Sequence, residues 1–397
     1  MLKSISLVLA AGLFLGCGAN ANAQIRVGAP FALTGPVGEL AREMRKGAEL
    51  AMAQVNEQGG LLASRYQLLF ADTACDPGRA VSAVRALIEE SEVLALVGPV
   101  CSGATLRQAQ SVSIPAGVVT LSVASASSLI TRLNDNDLVF RTAPSDDLKG
   151  EAMARVAYET GIREIAISHA TDAYNTGIAA VFAAAFEAIG GRVVLRQSHQ
   201  PNQGGYQREG QAAANAAANI ALFAYYGSGG LEYLDALFKT GRVAHVIATD
   251  GLMSKEMDKK FAAEDFARLT IVKAAADHDR SAYKHWAQFA DAAGVKPAGP
   301  YVANAYDAAF LMALAIEAAG NADRAKIAKA LRAVSGPPGV RILPGEFAKA
   351  RALLQQGQEI DYDGASGPVD FDAAGDIAGR VSVNRFADGS WHEKMLD

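Results

Sequence analysis

Short runs of β-branched and apolar residues recur along the chain, each closing on Gly, Pro, Ser or Asp, with stretches of helical period between them. A first set comprises Ile25–Leu33, Tyr66–Phe70, Val93–Val97 and Val118–Leu121. A second comprises Glu164–Ser168, Arg192–Leu195, Ile220–Tyr226, His245–Thr249 and Leu269–Val272. These run lengths and their punctuation predict strands. Met44, Ala48, Ala51, Met52 and Val55 fall on one face of a helix that Gly59-Gly60 stops, and Ala179–Ile189 and Ala303–Ala319 read the same way. Alternating strand and helix means βαβ units, which pack as parallel sheets with helices on both faces. Two such sets in succession predict two similar lobes, and no fixed short repeat points to a solenoid. Phe140–Ser145 lies between the sets, and its Pro144 suits a crossover. The largely helical stretch Asp277–Ala333 cannot form a sheet alone, so it is expected to pack back onto the first lobe and make both domains discontinuous.

The first residues read as an address rather than as structure. Lys3 precedes the apolar block Ile5–Gly16, and Ala21-Asn22-Ala23 fits a small-x-small cleavage site, so export with processing before Gln24 is expected. Lipoprotein processing at Cys17 is the less favoured alternative, because Phe14 and Leu15 fit that consensus poorly. Beyond residue 23 no uninterrupted apolar run reaches the ~18–20 residues of a spanning helix. With 37 basic and 42 acidic residues among 397, the net charge is -5, which argues against a nucleic-acid footprint or a polybasic membrane patch. Removal of Cys17 leaves Cys75 and Cys101, and an even pair in an exported chain reads as a disulfide.

Ligands of open parallel sheets bind beyond the carboxyl ends of strands. Two such ends in the first lobe carry small, hydroxyl-bearing loops, Gly98–Thr105 and Ser122–Ser128, suited either to holding a carboxylate or merely to capping helices. The second lobe offers Asp172–Gly177, Tyr225–Gly230 and Asp250-Gly251. There an acid could meet a ligand ammonium, and tyrosines such as Tyr226 could wall a pocket. Catalytic signatures are missing: the six His show no metal-ligand spacing, and no GxSxG, SxxK, Walker A or GxGxxG occurs. Asp361–Gly364 reads as a turn, and the acid pairs Glu89-Glu90 and Asp146-Asp147 as solvated faces. The pattern favours binding over chemistry, with no metal and no cofactor expected.

A set of motifs then resembles one family. Ile25-Arg26-Val27-Gly28 through Leu33-Thr34-Gly35-Pro36, Lys46–Ala51, Val55–Leu61, Asp72–Pro77, Val97–Ser102 and Val139–Asp146 are similar to the leucine/isoleucine/valine-binding proteins of branched-chain amino acid ABC importers. The similarity spans nearly the whole mature chain and thins after about residue 275. It implies a type I periplasmic-binding-protein fold of the α/β class, with two doubly wound lobes joined by a three-segment hinge. The lobes would be 24–142 plus 274–366 and 143–273 plus 367–397. It also matches the Cys75–Cys101 pair to a disulfide frequent in the family.

By position, Ser102 and the loop Ala124, Ser125, Ala126, Ser127 would hold a ligand α-carboxylate. Tyr174 would close over it, and Asp250 would take the α-ammonium. The chain departs from the family at Ala126, where a Thr is usual, at Leu40, where an aromatic is common, and at Gly229, where a Tyr is expected. Two lost rings suggest a ligand bulkier than valine or one with a polar tail, with Glu39 near it. The resemblance implies a monomeric, non-enzymatic periplasmic receptor that delivers an amino acid to permease and ATPase subunits. A ligand of another kind, such as an aromatic carboxylate, an amide or a urea-like compound, stays open beside it.

Overall fold

The computed structural model describes residues 24–396, so the export segment and Cys17 lie outside the described residues. The first sheet is built from β1 (Gln24–Phe31), β2 (Arg65–Asp72), β3 (Leu96–Val97), β4 (Thr120–Ser122) and β5 (Val139–Arg141), in the order β2-β1-β3-β4-β5. All its pairs are parallel. The second takes β6 (Glu164–Ala170), β7 (Arg192–His199), β8 (Asn219–Phe223), β9 (His245–Thr249) and β10 (Leu269–Ala274) as a parallel core. A small parallel pair, β11 (Val340–Ile342) with β12 (Ile360–Tyr362), follows. The chain then returns to the second sheet as the antiparallel hairpin β13 (Val381–Ala387) and β14 (Ser390–Leu396), giving β14-β13-β10-β9-β8-β6-β7.

The chain thus passes between the sheets three times: after β5, after β10 and before β13. The middle passage leads into the helices Ser281–Ala292 and Val302–Ala319, which share one apolar cluster with β1 and the helix Gly38–Glu57. Val302–Ala319 is apolar around most of its circumference. Such a helix must be enclosed, and residues Val302 to Ile316 are all buried. The second sheet is covered on both faces by separate apolar clusters, one under the helices Asp146–Glu159 and Ala173–Ala188 and one under Gly230–Lys239.

Three local readings change. Phe140 and Arg141, expected in a crossover, end the short strand β5. The run expected to continue to Tyr226 stops at Phe223, and Tyr226 sits in a one-turn helix. Asp146 does not lie on a solvated face: it opens the helix Asp146–Glu159 and is fully buried, while Glu89 and Glu90 are exposed. Ser145 caps that helix by accepting from the Asp147 N–H, which turns the Asp146 side chain inward. Beside the first passage the fully buried Arg141 forms a two-pronged pair with Asp376 of the third, at 2.6 Å on each prong, and also donates to the Ser127 carbonyl and the Thr131 hydroxyl.

Candidate functional site

Each sheet reverses its strand order once, between β1 and β3 and between β6 and β8, and the loops leaving those strand ends face one another. An open α/β sheet binds ligand at such a point because neighbouring helices diverge there and leave a crevice. Between the lobes the loops enclose a cavity with about 400 Å³ of empty space, part of it open to solvent. Its first-lobe wall is Val37, Leu40, Met44, Val100, Cys101, Ser102, Ala124 and Tyr301; its second-lobe wall is Tyr174, Tyr225, Asp250 and Gly251.

The cleft is closed. Gly227 donates its N–H to the Pro36 carbonyl at 3.2 Å, and a Cβ on Gly227 would stand 2.7 Å from that oxygen, so only glycine permits this approach. The Glu39 N–H donates to the Tyr226 hydroxyl at 3.0 Å, and Lys255 pairs with Glu39 at 3.3 Å. Glu39 and Tyr226 therefore join the lobes outside the cavity rather than lining it.

Of the residues singled out in the sequence, Leu40, Ser102, Ala124, Tyr174 and Asp250 meet at the cavity. Ser102 is buried, and its oxygen accepts from the Ser127 N–H at 3.2 Å, leaving the hydroxyl proton to donate. The rest of the second hydroxyl loop stands behind this wall. Ser125 lies 2.5 Å from the Thr105 hydroxyl, Ser127 caps the turn Ser128–Thr131, and Ala126 joins the second-lobe core. Gly229 also lies off the cavity. It holds a left-handed φ of +96° ahead of the helix Gly230–Lys239, and a Cβ there would come within 2.0 Å of the Tyr206 hydroxyl. The missing ring at 229 accordingly opens no room for ligand.

Cys75 and Cys101 form a disulfide with Cα atoms 5.4 Å apart. It ties the turn after β2 to the loop after β3, so Cys101 is held where it touches the cavity.

The sequence reading missed Lys149, Tyr301 and Asp146. Lys149, one turn into the helix Asp146–Glu159, is only 2% exposed. Its Nζ donates to the Tyr174 hydroxyl at 2.8 Å, Asp250 Oδ1 at 3.2 Å and the Tyr301 hydroxyl at 3.3 Å, with Asp146 Oδ1 3.7 Å away. Burial alone would pull its pKa down, but Asp250, the two tyrosines and Asp146 more than reverse this and hold the ammonium well above its ordinary value. Burial likewise drives Tyr174 and Tyr301 far above the phenol range, so both keep their protons. Neither carboxylate oxygen of Asp146 has a hydrogen-bond partner, and burial pushes its pKa to about 7 against the pull of Lys149 and Arg141. Tyr301 adopts φ +58°, a left-handed conformation costing a bulky residue on the order of 1–3 kcal/mol, at the entry to the helix Val302–Ala319. One signal was available in the sequence: Lys149 follows Asp146 at i+3, the spacing of facing side chains on a helix.

A cleft between two doubly wound lobes, with three chain crossings behind it, defines a class of two-lobed binding proteins. The chain matches the periplasmic binding protein family model over residues 24–380 and belongs to that family. It is 30% identical to "Leu/Ile/Val-binding protein homolog 3" of Brucella melitensis, over 80% of this chain and 85% of that one. Among solved structures it superposes on the leucine binding protein LivK of Thermotoga maritima with a TM-score of 0.79 at 23% identity, covering 94% of this chain and 99% of that one. It also superposes on a solute binding protein of an R. palustris ABC transporter in complex with benzoate (TM-score 0.74, 18% identity, 94% and 96% coverage). The fold is the type I periplasmic-binding-protein fold.

Proposed function

We propose that the chain is the extracytoplasmic binding component of an ABC importer, capturing a small organic acid between its lobes and presenting the closed form to a permease driven by an ATPase subunit. The observation that carries this is the cavity itself, whose walls come from both lobes. A ligand that touches both walls stabilises the closed state by its differential affinity, and closure is the signal a permease can read. We assign residues 24–142 with 274–366 to one lobe and 143–273 with 367–397 to the other, with the passages between the sheets as hinge. Relatives named for branched-chain amino acids support an amino acid as ligand; a neighbour holding benzoate supports a carboxylate without an ammonium.

The test is a thermal-shift screen of residues 24–397 against amino acids, aromatic acids and amides. It is paired with small-angle scattering to follow closure. Ligand at 100 times its Kd should stabilise the protein by about 2.7 kcal/mol and reduce its radius of gyration. Turnover of ester or amide substrates would count against a pure binding role.

A further inference from the structure

We infer that Arg141 is a positioning residue that ties the cavity-side loop Ser122–Ser128 to the hinge, so that lobe rotation and the placement of the cavity wall move together. The inference rests on the reading of the chain as a two-lobed binding protein and names how its cavity is coupled to closure. The loop belongs to the first lobe by sequence, leading from β4 toward β5, yet its two halves are held by different bodies. The leading half is anchored in the first lobe: the Ser122 hydroxyl donates to the Pro99 carbonyl at 2.8 Å, and the Ser125 and Thr105 hydroxyls lie 2.5 Å apart. The trailing half is gripped by the second lobe. There the Asp146 N–H donates to the Ala126 carbonyl at 2.7 Å, the Ser128 hydroxyl donates to Asp147 at 2.7 Å, and the Ala126 side chain packs in the second-lobe core.

Ser127 lies where the halves meet. Its N–H donates to Ser102 Oγ on the cavity wall at 3.2 Å, and its carbonyl accepts from Arg141 Nη1 at 3.0 Å. Arg141 ends β5 at the first passage, and the rest of its guanidinium reaches toward the third. Nε and Nη2 each donate to Asp376 at 2.6 Å. Nη2 also donates to Thr131, whose hydroxyl donates in turn to Asp376 at 2.7 Å. The Arg141 N–H adds a bond to the Gly375 carbonyl at 3.1 Å. Only a planar guanidinium aims donors in all these directions at once; a lysine ammonium carries its three protons on one atom. The side chain is fully buried, so water does not compete for these bonds. A chain of bonds therefore runs from Asp376 in the hinge through Arg141 and Ser127 to Ser102 at the cavity. Closure turns the second lobe about the passages. The trailing half of the loop follows that turn while Ser102 stays with the first lobe, and Ser127 is the point where the hinge angle is passed to the wall.

The test needs no ligand, so failure of the importer reading would leave it standing. Residues 24–397 are given one nitroxide in each lobe through Lys46→Cys and Lys259→Cys, both exposed positions, with the native disulfide left oxidised. Pulsed dipolar spectroscopy reads the distance between lobes, and hydrogen exchange by NMR reads the Ser127 amide. Arg141→Lys should keep an ionic contact with Asp376 and release Ser127. The Ser127 amide should then exchange at least about tenfold faster, the worth of one hydrogen bond to a charged group, while amides of β1 and β9 keep their rates. The distribution of distances between the lobes should broaden at the same time. Asp376→Asn loosens the other end of the fork; it should reproduce both changes, and it carries the test if Arg141→Lys does not fold. Faster exchange at Ser127 with an unaltered distance distribution overturns the coupling. A uniform rise in exchange across both lobes overturns it too, since that is what a merely structural arginine would give.

Discussion

The two walls of the cleft are built on different principles. The first-lobe loop wall is neutral and made of small or apolar residues, held by backbone geometry, the Cys75–Cys101 disulfide and the Ser102–Ser127 hydrogen bond. The second-lobe wall is electrostatic: Asp250 and Tyr174 stand beside a buried lysine that also reaches the first-lobe Tyr301. Neutral small residues make a wall whose members can be changed singly. A buried charge cluster behaves as one unit, because deleting a member strands the charge of another.

The largest expected effect is on the charged wall. Lys149→Met leaves Asp250 buried without its cation and should cost about 3–5 kcal/mol in denaturant unfolding. The double variant Lys149→Met with Asp250→Asn should recover much of that loss; equal losses in single and double variants would break the picture of a coupled unit. On the neutral wall, replacing both Cys75 and Cys101 by Ser reopens a loop of about 26 residues and should cost roughly 3 kcal/mol, with no pH dependence between 5 and 8.

Asp146 sharpens the contrast through pH. Its folded-state pKa is raised to about 7 from an ordinary 3.8, so between those values the folded state holds a proton that the unfolded state has lost. Stability should therefore fall as pH rises through that window, by at most about 1.4 kcal/mol per pH unit for this one proton. Asp146→Asn should remove that slope, gaining on the native protein from pH 5 to about 7 and levelling off above it. Parallel pH curves for the two proteins would refute the assignment. The smallest effect belongs to Ser102→Ala, which should weaken ligand binding by about 1 kcal/mol, near fivefold, and lower the stability of the free protein by a similar amount, because the buried Ser127 N–H loses its acceptor.

The alternation of apolar runs and helical stretches was enough to place two parallel sheets, since a strand buried on both faces and an amphipathic helix each leave a local pattern. The hairpin β13–β14 left none. Strand β14 is an edge strand with Ser390, His392, Glu393 and Lys394 exposed, and its polar face hides its period. Ser102 and Asp250 were legible because Asp250 directly follows β9 and Ser102 ends the short loop after β3, where the topology alone puts ligands. Gly229 was misjudged for the opposite reason: what occupies the space beside it is Tyr206, more than twenty residues earlier in the chain.

Family membership, sheet architecture and the strand-end residues follow from patterns within a few residues of one another, and the disulfide from the count of two cysteines left in the exported chain; these were readable along the chain. The state of Asp250 was not. One oxygen of that carboxylate accepts from Lys149, 101 residues away, which also donates to Tyr301 from the other lobe. Hydrogen bonding and charge pairing act over a few ångströms of space, and neither has a period along the chain. Only the closed fold brings these groups within reach of one another, and with them the chemistry the cavity can recognise.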